Sequence, residues 1–313
     1  MHIPDGFLSP GVAAATWIVA GGSLAVALRE ERRDPEPMPA GMLGSIAAFL
    51  FAAQMINVPV AAGTSGHLVG ATLAAVLLGP WRALLAMAAV LLVQAVLFQD
   101  GGVSAFGANF VDMGLAGSIV GYGVAYIASR GRGPRAVVAG AVLGSFAATL
   151  LGAAQVAFWL GLSGIYPLGG VLPVLLMTHV AIGLLEAALT GAILVALLER
   201  RPDLVAGVGR PARRRPTVAI AAAVFGVALV AAVFLAPLAS ALPDGLDATA
   251  QTLGFADRAR AMWPAPMPGY ELPWSRLAGL APAVTGAAGT IAAAALAWAM
   301  SRSLAAGGHD AHR

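Results

Sequence analysis

Long apolar runs, broken by short clusters rich in Gly, Pro and Arg, set the pattern of this chain. Continuous apolar stretches near 10–28, 41–58, 81–98, 107–129, 136–160, 171–198, 217–237 and 276–300 each approach the roughly 20 residues that a helix needs to cross a bilayer. A ninth, near 67–79, ends at Gly79-Pro80 and is short for a full span. None of these runs alternates, which excludes a transmembrane barrel. The pattern therefore predicts an all-α fold: a polytopic transmembrane helical bundle of about seven membrane helices plus a C-terminal two-helix unit. Ser9-Pro10 supplies a capping residue and a Pro at the first helical position for the opening helix. The residues ahead of it carry no Lys or Arg, unlike the basic start of a signal peptide.

The basic residues give the topology. All 18 are Arg, and a model in which the first helix runs inward places 15 of them on the cytoplasmic side. Only Arg258, Arg260 and Arg276 then lie outside. Met1 is expected to be extracytoplasmic and Arg313 cytoplasmic, in a multi-pass protein of the cell inner (cytoplasmic) membrane. The chain divides into a membrane domain over 1–200, a basic cytoplasmic linker over 201–216, and a two-span unit over 217–313 with an extracytoplasmic loop at 238–275. Met1, the Gly63–His67 loop and the 238–275 loop then share one face.

Composition narrows the chemistry. The chain is 59% hydrophobic and 11% charged, with a formal charge of +3 that topology explains without nucleic acid. The absence of cysteine leaves nitrogen and oxygen, with methionine sulfur a weaker option, as the donors for any metal. No P-loop motif and no H-E-x-x-H motif occurs.

His2 beside a free N-terminus forms a natural chelator. The amine and the His2 backbone nitrogen close a five-membered ring on a cation. The same backbone nitrogen and the His2 Nδ1 close a six-membered one. Such in-plane nitrogen suits Ni(II) or Cu(II), and Co(II) less clearly, whereas Mg and Ca want oxygen. A bulky second residue blocks removal of the initiator Met, so the amine is expected at Met1. The alternative is a chance His in a frayed terminus. His67, expected to open the third helix, offers a fourth nitrogen; otherwise it is a capping or interfacial histidine. Asn57, Thr64 and Ser65 either orient the imidazoles or satisfy loop backbone at membrane depth.

His179 and Glu186 share a helix face, as ligand-pathway groups, partner contacts or a structural pair. Asp100 and Asp112 attract cations by charge without being expected ligands. Gln54, Gln94 and Gln155 are expected to bond between helices. His309 and His312 form a tail tract on the wrong side for uptake.

The segments Met1-His2-Ile3-Pro4-Asp5-Gly6, Ala53–Val60, Gly63-Thr64-Ser65-Gly66-His67-Leu68, Gly79-Pro80-Trp81, Asp100-Gly101-Gly102 and Gly107-Ala108-Asn109 resemble the CbiM/NikM family. Its members are the substrate-specificity components of energy-coupling-factor (ECF) transporters for cobalt and nickel. The resemblance covers about residues 1–200. It implies a metal site at Met1, His2 and His67. Residues 217–300 resemble the NikN/CbiN partner, with Pro243-Asp244-Gly245-Leu246-Asp247 similar to its PDGLE motif and Asp247 where Glu is usual. A natural fusion of the two is implied, with Ni(II) or Co(II) as transported substrate and ATP hydrolysis by partners rather than by this chain. Those partners are a membrane coupling (T) subunit and cytoplasmic ABC ATPases. The alternative from another class is a proton-coupled secondary divalent-metal carrier using His179, Glu186 and Asp112. A purely structural membrane subunit would leave the N-terminal motif unexplained.

Overall fold

The structure is a computed structural model that describes residues 1–34, 39–61, 63–130, 132–201, 217–272 and 278–310. The linker from 202 to 216, loop residues 273–275, Arg276 and Arg313 lie outside the described residues, as do the side chains of His309 and His312.

Helix α1 (Pro10–Arg33) starts as its sequence dictates: the Ser9 side chain accepts from the Val12 N–H, and Pro10 sits where no N–H is needed. Helix α2 is Ala40–Met55. A two-residue antiparallel ribbon follows, Val58–Pro59 against Ser65–Gly66. Helix α3 (Ala71–Leu78) begins only after Gly70, whose φ of 75° turns the chain into it. His67 therefore does not open the third helix; it lies in the extended segment between ribbon and helix, because Gly70 delays the start. Eight residues make a rod of about 12 Å, too short to cross a bilayer.

The remaining long elements are α4 (Pro80–Phe98, closing in a π-turn from Gln94), α5 (Phe106–Ser129, π-wound at its centre), α6 (Pro134–Leu162) and α7 (Leu168–Arg200). In the C-terminal unit, α8 (Val218–Phe234) leads to the short α9 (Gly245–Leu253) and the long α10 (Ala281–Asp310). Among the described residues seven helices are long and apolar enough to cross a membrane, with α2 shorter.

Small residues let these helices approach closely, as packing in lipid requires. Gly144 and Gly121 bring α6 and α5 into backbone contact, and Gly289 of α10 receives the ring of Phe51 on α2. The Ser45 hydroxyl of α2 donates to the Ala221 carbonyl of α8 at 2.8 Å. The C-terminal unit thus packs into the same bundle, with α2 between α8 and α10.

Polar groups collect at the two ends of the bundle. At one end Arg82 reaches Glu31 and Asp34 across the α1 and α4 termini. At the other, the first seven residues, the segment around His67, the 99–105 turn and the loop after α8 are joined by main-chain hydrogen bonds. These include Gly102 N–H to Ile3 O, Ser65 N–H to Pro243 O and Arg260 N–H to Asp5 O.

Candidate metal centre

The N-terminal segment is not frayed. Met1, Ile3 and Phe7 are buried, Ile3 completely. Asn109 of α5 clamps Ile3 twice: its Oδ1 accepts from the Ile3 N–H at 2.7 Å and its Nδ2 donates to the Ile3 carbonyl at 3.0 Å. Asp5 accepts from both the N–H and the hydroxyl of Ser104. Gly6, at φ 93°, lies where a Cβ would collide with the Arg258 carbonyl, so only glycine fits. Phe7 then packs edge-on against Phe255 with ring centroids 5.3 Å apart. The hexapeptide and the Asp100-Gly101-Gly102 and Gly107–Asn109 segments are thus two halves of one docking arrangement.

This docking carries the terminal amine inward, where it donates to Asp244 Oδ2 at 2.6 Å. The other Asp244 oxygen caps α9, accepting from the N–H groups of Leu246 and Asp247. Burial alone would lower the amine's pKa, but the charge and hydrogen bond of Asp244, helped by Asp100 and Asp247, hold it above its usual 8.0. The same pairing outweighs burial at Asp244 and keeps that carboxyl well below its usual range.

The His2 ring lies between Gln94 and Asp100, with Nε2 3.1 Å from Gln94 Oε1 and Nδ1 3.2 Å from Asp100 Oδ1. Burial pushes His2 toward its neutral form, against the pull of Asp100. The His67 ring is 5.7 Å from the His2 ring, centroid to centroid, with an interplanar angle of 31°. Burial first, then the Met1 ammonium and His2, push the His67 pKa down to about 3. It therefore stays a neutral donor, and among the described residues its buried Nδ1 has no hydrogen-bond partner. Met1, His2 and His67 thus converge at one end of the bundle. Among the described residues, His, Asp and Glu side chains alone form no cluster of three able to hold a metal ion, so a site here has to draw on the amine and main chain.

The expected support for these rings is placed differently. Thr64 donates to Ala61 O within its own turn, and the Ser65 hydroxyl donates to Leu242 O, so both satisfy backbone rather than orient imidazoles. The Asn57 carbonyl accepts from the Ser240 N–H, and its buried Oδ1 has no partner among the described residues. The polar contacts to His2 come instead from Gln94 and Asp100. Glutamines inside apolar spans were the available signal, but spacing could not say what they would face. Asp244 had a signal too, in its motif, with nothing to link it to residue 1.

The other ionisable groups are engaged in hydrogen bonds away from the His2 and His67 rings. Glu186 accepts from the Val69 and Gly70 N–H groups at 2.7 and 3.0 Å, fixing the chain between His67 and α3. Asp112 accepts from the Trp159 indole N–H at 2.9 Å. His179 bonds through Nδ1 to Leu175 O, and its ring lies against Gly245.

Comparison with known proteins gives the family. The CbiM family, described as a cobalt uptake substrate-specific transmembrane region, matches residues 2–204, and the PDGLE domain matches residues 218–306. The fused nickel transport protein NikMN of Rhodobacter capsulatus is 37% identical over 68% of this chain and 66% of its own length. A chain assigned as a fused nickel transport protein NikMN in Archaeoglobus fulgidus is 33% identical over 96% of this chain and 98% of its own. The cobalt transport protein CbiM of Sorangium cellulosum is 36% identical over 66% of this chain and 94% of its own. A crystal structure of a transition metal transporter superposes with a TM-score of 0.56 at 32% identity, covering 64% of this chain and 93% of that one. The chain therefore belongs to the CbiM family of nickel and cobalt transport proteins, with a PDGLE domain joined to it in the same polypeptide.

Proposed function

We propose that this protein captures Ni(II), or Co(II), at a four-nitrogen site. The donors are the Met1 amine, the His2 backbone nitrogen, the His2 Nδ1 and the His67 ring. The observation that carries this reading is the burial of the first residues, which brings the amine and both imidazoles to one end of the bundle. The first three donors belong to two fused chelate rings and act at high effective concentration, so two residues can hold an ion that side chains alone would release. Binding displaces the proton on the amine and the backbone-amide proton, and therefore weakens in acid.

The site faces the outside, a reading that the Arg distribution supports, with the C-terminus in the cytoplasm of a multi-pass inner-membrane protein. Residues 1–200 form the binding domain, and 217–313 form a unit whose 238–275 loop assists loading. The contact of Asp244 with the amine supports that role for the loop. Release inward is driven by ATP, hydrolysed by cytoplasmic ABC ATPases acting through a membrane coupling (T) subunit, so that the chain is the substrate-binding component of an ECF transporter. The proton-carrier alternative is not favoured, since Glu186 and Asp112 are engaged in structural hydrogen bonds.

The test is nickel uptake into vesicles holding this chain with the partner subunits, driven by ATP or by a proton gradient alone. Uptake is expected only with ATP, and only with His2 intact. Uptake on the gradient alone, without partners, would overturn the ATP-driven reading.

A further inference from the structure

We propose that Gln94 and Gln54 are positioning residues that lock the proton of the His2 ring on Nε2 and so reserve Nδ1 for the metal ion. This rests on His2 being a ligand, as argued above. The assignment begins at a group whose role is fixed. The Val69 carbonyl can only accept, and it lies 2.9 Å from the Gln54 side-chain nitrogen. That atom must be the amide NH2, so Gln54 turns its oxygen the other way. Gln94 meets this oxygen at 2.8 Å and must present its own NH2 there. Its remaining atom, Oε1, faces His2 Nε2 at 3.1 Å. An amide oxygen carries no proton, so Nε2 is the N–H.

Reversing any amide in this series would set oxygen against oxygen or N–H against N–H. Gln94 is completely buried and Gln54 is 3% exposed, so no solvent could relieve the mismatch. Each orphaned group would cost about 1–3 kcal/mol. The series is therefore read in one direction only.

The consequence lies in the chelate. The six-membered ring from the His2 backbone nitrogen closes through Nδ1; Nε2 is on the far side of the imidazole. A histidine free to choose would spend part of its time with the proton on Nδ1, blocking that donor. Asp100 Oδ1, 3.2 Å from Nδ1, attracts a proton to that side. The Gln94 contact fixes Nε2–H against this pull and leaves Nδ1, opposite Asp100, as the position where a proton and a cation exchange. Gln94 is the first residue of the π-turn closing α4, a local rewinding of the kind that often marks functional positions.

The far end of the series is anchored in the segment of the second imidazole. Val69 follows His67 by two residues, and its N–H is held by Glu186 while its carbonyl is held by Gln54. One buried polar line from Glu186 to His2 thus ties both rings to the bundle.

Two-bond proton–nitrogen correlation on the full chain with labelled histidine, without metal and at a pH where the ring is neutral, reads the tautomer directly. The wild type should show Nε2–H at His2. Gln94→Leu should release the ring to populate Nδ1–H and lower nickel affinity by about 10–100-fold. Its thermal unfolding midpoint should fall as well, because the buried Gln54 Oε1 loses its donor, so affinity and tautomer are read well below that midpoint. Gln94→Glu, whose buried carboxyl in its protonated form can donate to Gln54 Oε1 and still accept from Nε2, should retain the tautomer, with affinity nearer the wild type's. Nδ1–H at His2 in the wild type overturns the proposal. So does a Gln94→Leu variant with unchanged affinity, or one that loses affinity with the tautomer unmoved. Nickel binding by His2→Ala, measured alongside, tests the ligand reading separately, because the tautomer result does not depend on metal.

Discussion

The two polar ends of the bundle solve the same electrostatic problem with different cations. At one end Arg82 donates from Nε to Glu31 and from Nη2 to Asp34, each at 2.6 Å. At the other, the Met1 ammonium meets Asp244 at 2.6 Å and the His2 ring meets Asp100 at 3.2 Å. In both, carboxylates from distant parts of the chain hold a cationic group that is mostly buried. A guanidinium never gives up its charge and has no lone pair to offer. It staples α1 to α4 and can do nothing else. An amine becomes a nitrogen donor once its proton leaves, and a neutral imidazole already has one lone pair to offer, so a divalent cation can be received between the same carboxylates. Burial of charge alone therefore does not separate the proposed metal-binding end from the other; exchangeable protons do.

The largest effect that could break this contrast is at the chelate. Extending the chain ahead of Met1, or substituting His2→Ala, should lower nickel affinity by about 100-fold or more, because each removes a donor together with a chelate ring. Titration calorimetry on purified protein reads this, and unchanged affinity in an extended, unprocessed chain would remove Met1 from the site. His67→Ala should cost less, about 10–100-fold, because the fused rings survive. A residual weak nickel site should persist in that variant.

Next comes pH. The amine's pKa is raised in the folded protein, so the stability its pairing contributes is fully present below the usual 8.0 and is lost as pH rises through the raised value. Asp244 is depressed, so its share is present above 3.8 and is lost as pH falls toward the lowered value. The unfolding midpoint of Asp244→Asn should therefore lie below wild type by a constant margin through neutral pH, with the margin closing toward both extremes. Nickel affinity should fall steadily with acid, by up to about tenfold per pH unit for each proton displaced. A flat affinity profile would mean that the amine is not a donor.

The smallest effect on binding belongs to the other end. Arg82→Ala should destabilise the fold by about 1–3 kcal/mol through the lost charged hydrogen bonds. Nickel affinity should not change. A matched loss of affinity would show that the two ends are coupled through the helices.

Much of this was legible in the chain itself. Apolar length settled the helical class, because a bilayer admits few other solutions. The proposed chelate could be drawn from the first two residues, since its rings would close through bonds that sequence fixes. Tertiary structure decided everything that depends on which distant groups meet. Gly70 moved the start of α3 past His67, and the turn at 64–65 spent its hydroxyls on backbone. Gln94 and Gln54 were visible only as polar residues in apolar spans. Their partners became known once α4, α2 and the N-terminal segment were packed together. Asp244 stands 243 residues from the amine it holds. Local chemistry follows from covalent neighbours and can be read in order, whereas a hydrogen bond between distant residues exists only after the whole bundle has set its distance.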